Sequence, residues 1–289
     1  VHGRKSIGVD INPVAELITK AKTNPIEPKK LKKIFEAVVS GFAEYNEELY
    51  KDVIFHKRID YWFSSEEKHK IAFVYELILK ISHKKSMDFF LVSLSHILKN
   101  CSKWLQSSTK PQIDPKKKAS DPFKSFITHT KGMMRRNEEF YNKLKENDLL
   151  NTFCDIRLKD ARKTRIWSNT VSAIITSPPY VTSYEYADIH QLTGYWFEYI
   201  SDITEFRRNL IGTFHSLNQT IECSSLLAQE IIDELLSKDL RTAKEVANYF
   251  NDMQAVAKEM YRVLKDGGHV CLVIGNTTFK NVKIKSAEV

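Results

Sequence analysis

No apolar stretch of this 289-residue sequence approaches the roughly 18 to 20 residues of a membrane span, and no secretory signal pattern opens it. A helical membrane protein is therefore not expected, and a cytoplasmic location is. Cysteine is scarce and scattered: Cys101, Cys154, Cys223 and Cys271 show no C-x-x-C spacing, which argues against both a zinc site and a disulfide framework. They are expected to be reduced, mostly buried small apolar residues, and no metal is expected. Internal repeats are lacking too. What remains is 42% apolar and 28% charged, the balance of a soluble globular chain with one large domain or two smaller ones.

The net charge of +8 is uneven, because residues 28–150 hold 24 Lys and Arg against 16 Asp and Glu, which accounts for the whole excess. Localised positive charge fits a polyanionic partner such as nucleic acid, with a solvated face as the commoner cause of a modest lysine excess. The same segment reads as long helical patterns, for example Ile34, Val38, Val39, Phe42 and Tyr45. Ser64 or Ser65 is the expected N-cap after Asp60-Tyr61-Trp62-Phe63, and residues 111–122 are an expected exposed loop. Lys116-Lys117-Lys118 is either a phosphate contact or simply a mobile surface loop.

On either side of this segment the pattern is α/β. Ser6 to Ile11 reads as a short buried strand ending in Asp10, with Pro13 opening a helix; Val1 to Lys5 read as the tail of an earlier helix capped by Gly3. Thr152 to Leu158 is a second expected strand, leading into Lys159-Asp160-Ala161-Arg162. Val171 to Thr176 is a third, and it runs straight into Ser177-Pro178-Pro179-Tyr180. A polar-aromatic stretch with Tyr184, Tyr186, His190 and Trp196 follows, and helical patterns continue to about Tyr261. A helix end turned by Gly267-Gly268 then feeds a strand from His269 to Ile274, closed by Gly275-Asn276. The expected organisation is residues 1–27 as the start of an α/β core, 28–150 as a basic helical insertion expected to contribute to recognition of a nucleic-acid target, and 151–289 as the catalytic part of the core.

The Ser177-Pro178-Pro179-Tyr180 turn is the strongest chemical signal. Open α/β sheets bind ligands at the carboxyl edges of their strands. Proline fixes φ near −65° and has no N–H, so the turn presents carbonyl oxygens held still. A planar group carrying an amine suits it: the Ser177 hydroxyl and Pro178 carbonyl can accept the two amine protons, and Tyr180 offers a ring for stacking. The bland alternative is a strand followed by a tight loop.

These residues resemble the DNA methyltransferases that methylate the exocyclic amines of cytosine (N4) or adenine (N6). Thr176-Ser177-Pro178-Pro179-Tyr180 looks like their catalytic motif, and Gly8-Val9-Asp10-Ile11-Asn12-Pro13 looks like their cofactor-ribose strand. Lys159-Asp160-Ala161-Arg162 is similar to the family's Gly-Asp-Ala-Arg. Tyr186, His190 and Trp196, followed by Leu210-Ile211-Gly212-Thr213, resemble the region after the catalytic loop, and Val263 to Gly268 with Val273 to Asn276 resemble the fifth-strand unit. The resemblance implies a Rossmann-like class I methyltransferase sheet with a large helical insertion, S-adenosylmethionine as cofactor, double-stranded DNA with a flipped target base as partner, and a restriction-modification setting. It implies Ser177, Pro178, Pro179 and Tyr180 as catalytic residues, and Asp10, Asn12, Asp160 and Ala161 as cofactor-binding residues.

Each role has a structural alternative. A strand-end acid can accept both hydroxyls of a ribose, or Asp10 can cap the helix that begins at Pro13. Asp160 can accept from the adenine amino group, cap a helix, or pair with its neighbour. His190 can contact DNA or line the pocket, but a structural hydrogen bond is the expected role, and Trp196 is expected in the core. Ser177, where adenine enzymes commonly have Asp, favours cytosine N4 over adenine N6. The family's Phe-x-Gly-x-Gly cofactor loop has no counterpart, and the chain stops soon after Asn276, where the family continues with a strand pair. The sheet is thus expected to be incomplete, and the chain to be a fragment or a subunit completed by a second polypeptide. A catalytically inactive DNA-binding or scaffold relative is the rival reading.

Overall fold

The computed structural model describes residues 2–181, 186–213 and 220–289. Two compact units alternate along the chain: Val1–Gly8, Asn12–Leu158 and Asp188–Ser201 in the first, and Val9–Ile11, Lys159–Ala187 and Asp202–Val289 in the second.

Strand β1 (Ser6–Asp10), whose residues Ser6–Gly8 belong to the first unit and whose last two belong to the second, leads to α1 (Pro13–Thr23), whose N-cap is Asn12 and whose first position is proline. Residues 2–5 are not helical, so the expected tail of an earlier helix is absent; Gly3 does take a positive φ of 65°. Five helices follow: α2 (Pro28–Ser40), α3 (Lys57–Trp62), α4 (Ser65–Leu79), α5 (Lys84–Ile97) and α6 (Pro122–Glu146), with two 3-10 turns after α2. Between residues 28 and 150 the described residues hold no strand beyond one isolated bridge, Trp104 to Ile113, as the helical periodicity predicts. Helix α5 is central because its apolar residues go nearly all round: Phe90, Leu94 and Ile97 are fully buried, and α1, α4 and α6 pack against it. Ser64 does stand at the N-cap of α4, where its hydroxyl bonds Glu67 rather than a backbone N–H. The unit also holds β2 (Cys154–Leu158) and nearly all of α7 (Tyr186–Trp196).

Strands β1 and β2 pair. Ser6 N–H donates to Phe153 O at 3.0 Å and Lys159 N–H to Asp10 O at 3.0 Å, so both chains ascend together and the pair is parallel.

The second unit contains β3 (Val171–Thr176), α8 (Ile203–Arg208), α9 (Leu226–Leu236), α10 (Leu240–Val263), β4 (Leu264–Leu272), β5 (Thr277–Phe279) and β6 (Val282–Ile284). Its core joins Ile232 and Leu235 of α9, Val246 and Ala247 of α10, and Val282 and Ile284 of β6. Strand β4 runs parallel to β3, but its register jumps from Val171–Leu264 to Ala173–His269, which throws residues 265–268 out as a bulge. The two expected glycines lie in that bulge, not at the helix end. Gly267 has φ 72°, and a Cβ on Gly268 would come within 2.9 Å of Lys265 O. Beyond Asn276, where the sequence was expected to fall short of a strand pair, β5 and β6 form an antiparallel hairpin; its turn, Lys280-Asn281, has both φ values positive, as a tight hairpin turn requires.

Parallel strands are normally covered on both faces. Here β3 and β4 are not: Ile175 is 79% exposed and Val273, just beyond β4, is 58% exposed. The cysteines also depart from expectation, since Cys101 alone is buried, Cys154 and Cys223 are half-buried and Cys271 is exposed, although all four are free. No described helix is long and apolar enough to cross a membrane.

One packing detail of the first unit makes a pH prediction. His96 of α5 and His129 of α6 stack with ring centroids 3.8 Å apart. Burial, the neighbouring His96 and Arg136 push the His129 ring down to about 4. The unfolded chain therefore takes up a proton near 6.5 that the folded ring refuses until about 4, so stability is full above 6.5 and falls as pH drops through this window. Thermal melts from pH 4 to 7 should show the His129→Gln variant less acid-sensitive than the parent, by on the order of 1 kcal/mol for so partly solvated a ring. An unchanged acid limb would contradict it.

Candidate active site

The lip at the end of β3 is stitched to the segment that follows β4. Thr176 O accepts from Val273 N–H at 2.9 Å, and the Ser177 hydroxyl donates to Val273 O at 3.0 Å. Both main-chain polar groups of one residue thus hold the start of the turn. A hydroxyl has one proton and two lone pairs. With its proton committed to Val273, Ser177 is left as an acceptor, the role its sequence position suggests. Pro178 is buried and Pro179 half-buried, whereas Tyr180 is 39% exposed, with a ring carbon 4.0 Å from where a Cβ on Gly275 would stand.

The two acids stand at neighbouring strand ends, since the Lys159 N–H to Asp10 O bond lies immediately before Asp160. Asp10 does not cap α1. Asn12 does, its Oδ1 accepting from Val14 N–H at 3.0 Å, which leaves the exposed Asp10 side chain outside that structural role. Asn12 itself is buried, and its Nδ2 donates to His190 Nδ1 at 2.8 Å. Because Oδ1 is fixed on Val14, this ring nitrogen must accept, so His190 carries its proton on Nε2. The expected structural role of His190 is thereby met. Trp196 is core, packed edge-on against Phe55 and Phe63. Tyr184 and the Tyr186 side chain lie outside the described residues.

Asp160 pairs with its neighbour but one. Its two oxygens accept from the Arg162 guanidinium at 2.7 to 3.0 Å, and Oδ1 also accepts from Arg162 N–H at 2.8 Å. Burial raises this carboxyl, but the hydrogen bonds and charge of Arg162 outweigh it and hold it below the usual range. Ala161, half-buried, occupies the turn between the two. Arg162 reaches further, to Asp252 of α10 at 2.7 Å and to Asn209 O at 3.0 Å. Asp252 in turn accepts from Gly212 N–H at 2.9 Å, where φ is 67° and a Cβ would lie 2.9 Å from the Tyr249 side chain. Asp252, 90 residues from Arg162, carries no local sequence signal, and neither does Val273 O. The loop before β3 is tied to α10 in the same way: Glu259 accepts from Thr164 and Arg262, chiefly the latter, which takes its carboxyl down to about 2.

Lys117 is turned inward, its ammonium donating to the carbonyls of Lys99 and Trp104 at 2.6 and 2.7 Å, while Lys116 and Lys118 are exposed. Among the described residues no group of three His, Cys, Asp or Glu could hold a metal ion.

Residues 171–289, from the first residue of β3 onward, match the DNA methylase family. The resemblance read from the motifs is to these methylases. The chain is also similar to Type II methyltransferase M.MvaI of Kocuria varians, 25% identical over 316 aligned residues that span 98% of this chain and 68% of that protein. No solved structure matches. The methylase segment begins with the strand that delivers Ser177 and includes the Val273 contact, the bulge glycines and Asp252, while Asp160 and Arg162 lie ahead of it, so the lip and the contacts that hold it fall within the family's span.

Proposed function

We propose that this chain is a DNA methyltransferase that transfers a methyl group from S-adenosylmethionine to the exocyclic amine of a base flipped out of duplex DNA, with cytosine N4 as the favoured target, in a cytoplasmic restriction-modification setting. The observation that carries the reading is the Ser177-Pro178-Pro179-Tyr180 turn fixed to Val273 inside a segment that matches the DNA methylases.

The residues fit the cofactor. Two carboxylates at adjacent carboxyl ends of a parallel pair suit a ribose and an adenine: Asp10 takes the ribose hydroxyls, and Asp160 with Ala161 meets the base. Asn12 acts through its cap, which fixes the chain that follows Asp10. S-adenosylmethionine, when bound, supplies an electrophilic methyl group. The chain's own residues handle the amine. Its lone pair is delocalised into the ring, and donation of both N–H bonds to fixed acceptors, Ser177 Oγ and Pro178 O, favours a more tetrahedral nitrogen and stabilises its developing positive charge. Pro179 keeps the turn rigid, and Tyr180 stacks on the extruded base.

The uncovered apolar surface of β3 and β4 supports a Rossmann-like sheet completed by a further segment or a second polypeptide that carries the glycine-rich cofactor loop. Duplex DNA methylated by the completed protein and digested to nucleosides should give N4-methylcytosine by mass spectrometry. N6-methyladenine would reassign the base, and no modified nucleoside would refute the activity. Calorimetry on the 289-residue chain alone should show cofactor binding weaker than micromolar, and micromolar binding would refute the need for a completing segment.

A further inference from the structure

Helices α2 and α6 of the first unit face each other across a cleft of about 350 Å³ lined by Lys29 and Lys32 on one wall and Lys131 and Arg135 on the other. All four are exposed, and Glu138 is the single carboxylate in the lining. Neither Lys29 nor Lys131 has a carboxylate within ion-pair distance among the described residues. Lys32 and Arg135 have only solvent-exposed partners at 3.9 Å, Glu36 and Glu139, worth little in water. Four cations thus stand beside three exposed carboxylates, two of them only at the limit of ion-pair distance, and the cleft keeps a net positive charge.

The cleft is also held in shape. Asn137, buried on α6, makes two hydrogen bonds to the backbone of Ile26 just ahead of α2: its Oδ1 accepts from Ile26 N–H at 2.9 Å and its Nδ2 donates to Ile26 O at 2.7 Å. A side-chain amide used this way joins segments 111 residues apart as a strand ladder would, and buried polar pairs of this kind are costly to break. The cations on each helix are spaced by three or four residues, about one helical turn, so each wall presents a row rather than a point.

We propose that this cleft grips the phosphate backbone of duplex DNA. The inference rests on the DNA reading above and places the phosphate contact on α2 and α6 rather than on the 116–118 loop, where Lys117 is turned inward. Contacts of this type position a duplex without reading its sequence.

The test is equilibrium binding of the 289-residue chain to 30-base-pair duplexes of two unrelated sequences, measured from 50 to 300 mM salt. Lys131→Ala with Arg135→Ala keeps good helix formers on α6 and should leave the melting temperature unchanged. It should weaken binding to both duplexes by about tenfold and lower the slope of log affinity against log salt by about two, while Lys131→Arg with Arg135→Lys should retain both. An unchanged slope in the alanine pair, or a slope lowered only by Lys116→Ala with Lys118→Ala, would overturn the assignment. If the parent chain binds neither duplex at 50 mM salt, the cleft assignment fails, whereas the DNA reading fails only if duplex DNA treated with the completed protein also yields no methylated nucleoside.

Discussion

Replacing Ser177 with alanine is expected, on the activity proposed above, to lower turnover by about 100-fold, the scale seen when one preorganised polar group facing developing charge is removed. Affinity for S-adenosylmethionine should stay within about twofold, because the cofactor is assigned to Asp10 and Asp160 at other strand ends. The structure gives the reason for so large an effect from an exposed hydroxyl. Its proton is spent on Val273 O, so its lone pairs are oriented before the amine arrives. Alanine removes both the acceptor and the stitch. Pro178→Ala is the informative companion. It keeps the carbonyl but frees φ, so it should lower turnover less than Ser177→Ala while again sparing cofactor affinity. Steady-state kinetics with cofactor titration reads both. Equal losses in turnover and cofactor affinity would mean that the lip shapes the cofactor pocket instead of orienting the amine.

Much of this site is legible in the sequence because its signals are local. A strand of β-branched residues followed by two prolines announces both the element and its abrupt end, and Asn12-Pro13 announces a helix start, although which of Asp10 and Asn12 caps it is decided only by geometry. The helical character of residues 28–150 is equally local, carried by periodicity. Contacts that close long loops are different. The Val273 carbonyl that orients Ser177, the Asn137 clamp on Ile26 and the Asn12 amide on His190 join residues 96, 111 and 178 apart, and no pattern of residue types marks either end. The hairpin after Asn276 escapes the sequence for another reason: its strands are three residues each, too short for a period-2 pattern to show, and its turn depends on two adjacent non-glycine residues with positive φ.

Arg162→Ala is expected to cost about 2 to 3 kcal/mol of stability, since it strands two partly buried carboxylates that one guanidinium now serves. Arg162 bonds Asp160, Asp252 and the Asn209 carbonyl, and Asp252 also anchors the turn at Gly212. The loss should depend on pH in a defined sense. In the parent, Asp160 sits below its ordinary value of 3.8, so its contribution is present above that value and fades as pH falls below it. Without the guanidinium, burial outweighs the backbone N–H of residue 162 that still donates to Asp160, the carboxyl rises, and the folded variant is penalised above 3.8 instead. The gap between parent and variant should therefore be widest near neutrality and close on acidification, as measured by denaturant unfolding from pH 3 to 7. Asp252→Asn in the Arg162→Ala background removes one of the stranded charges and should recover about 1 kcal/mol, a coupling that a double-mutant cycle isolates. A gap that does not vary with pH would show that Arg162 acts by packing alone.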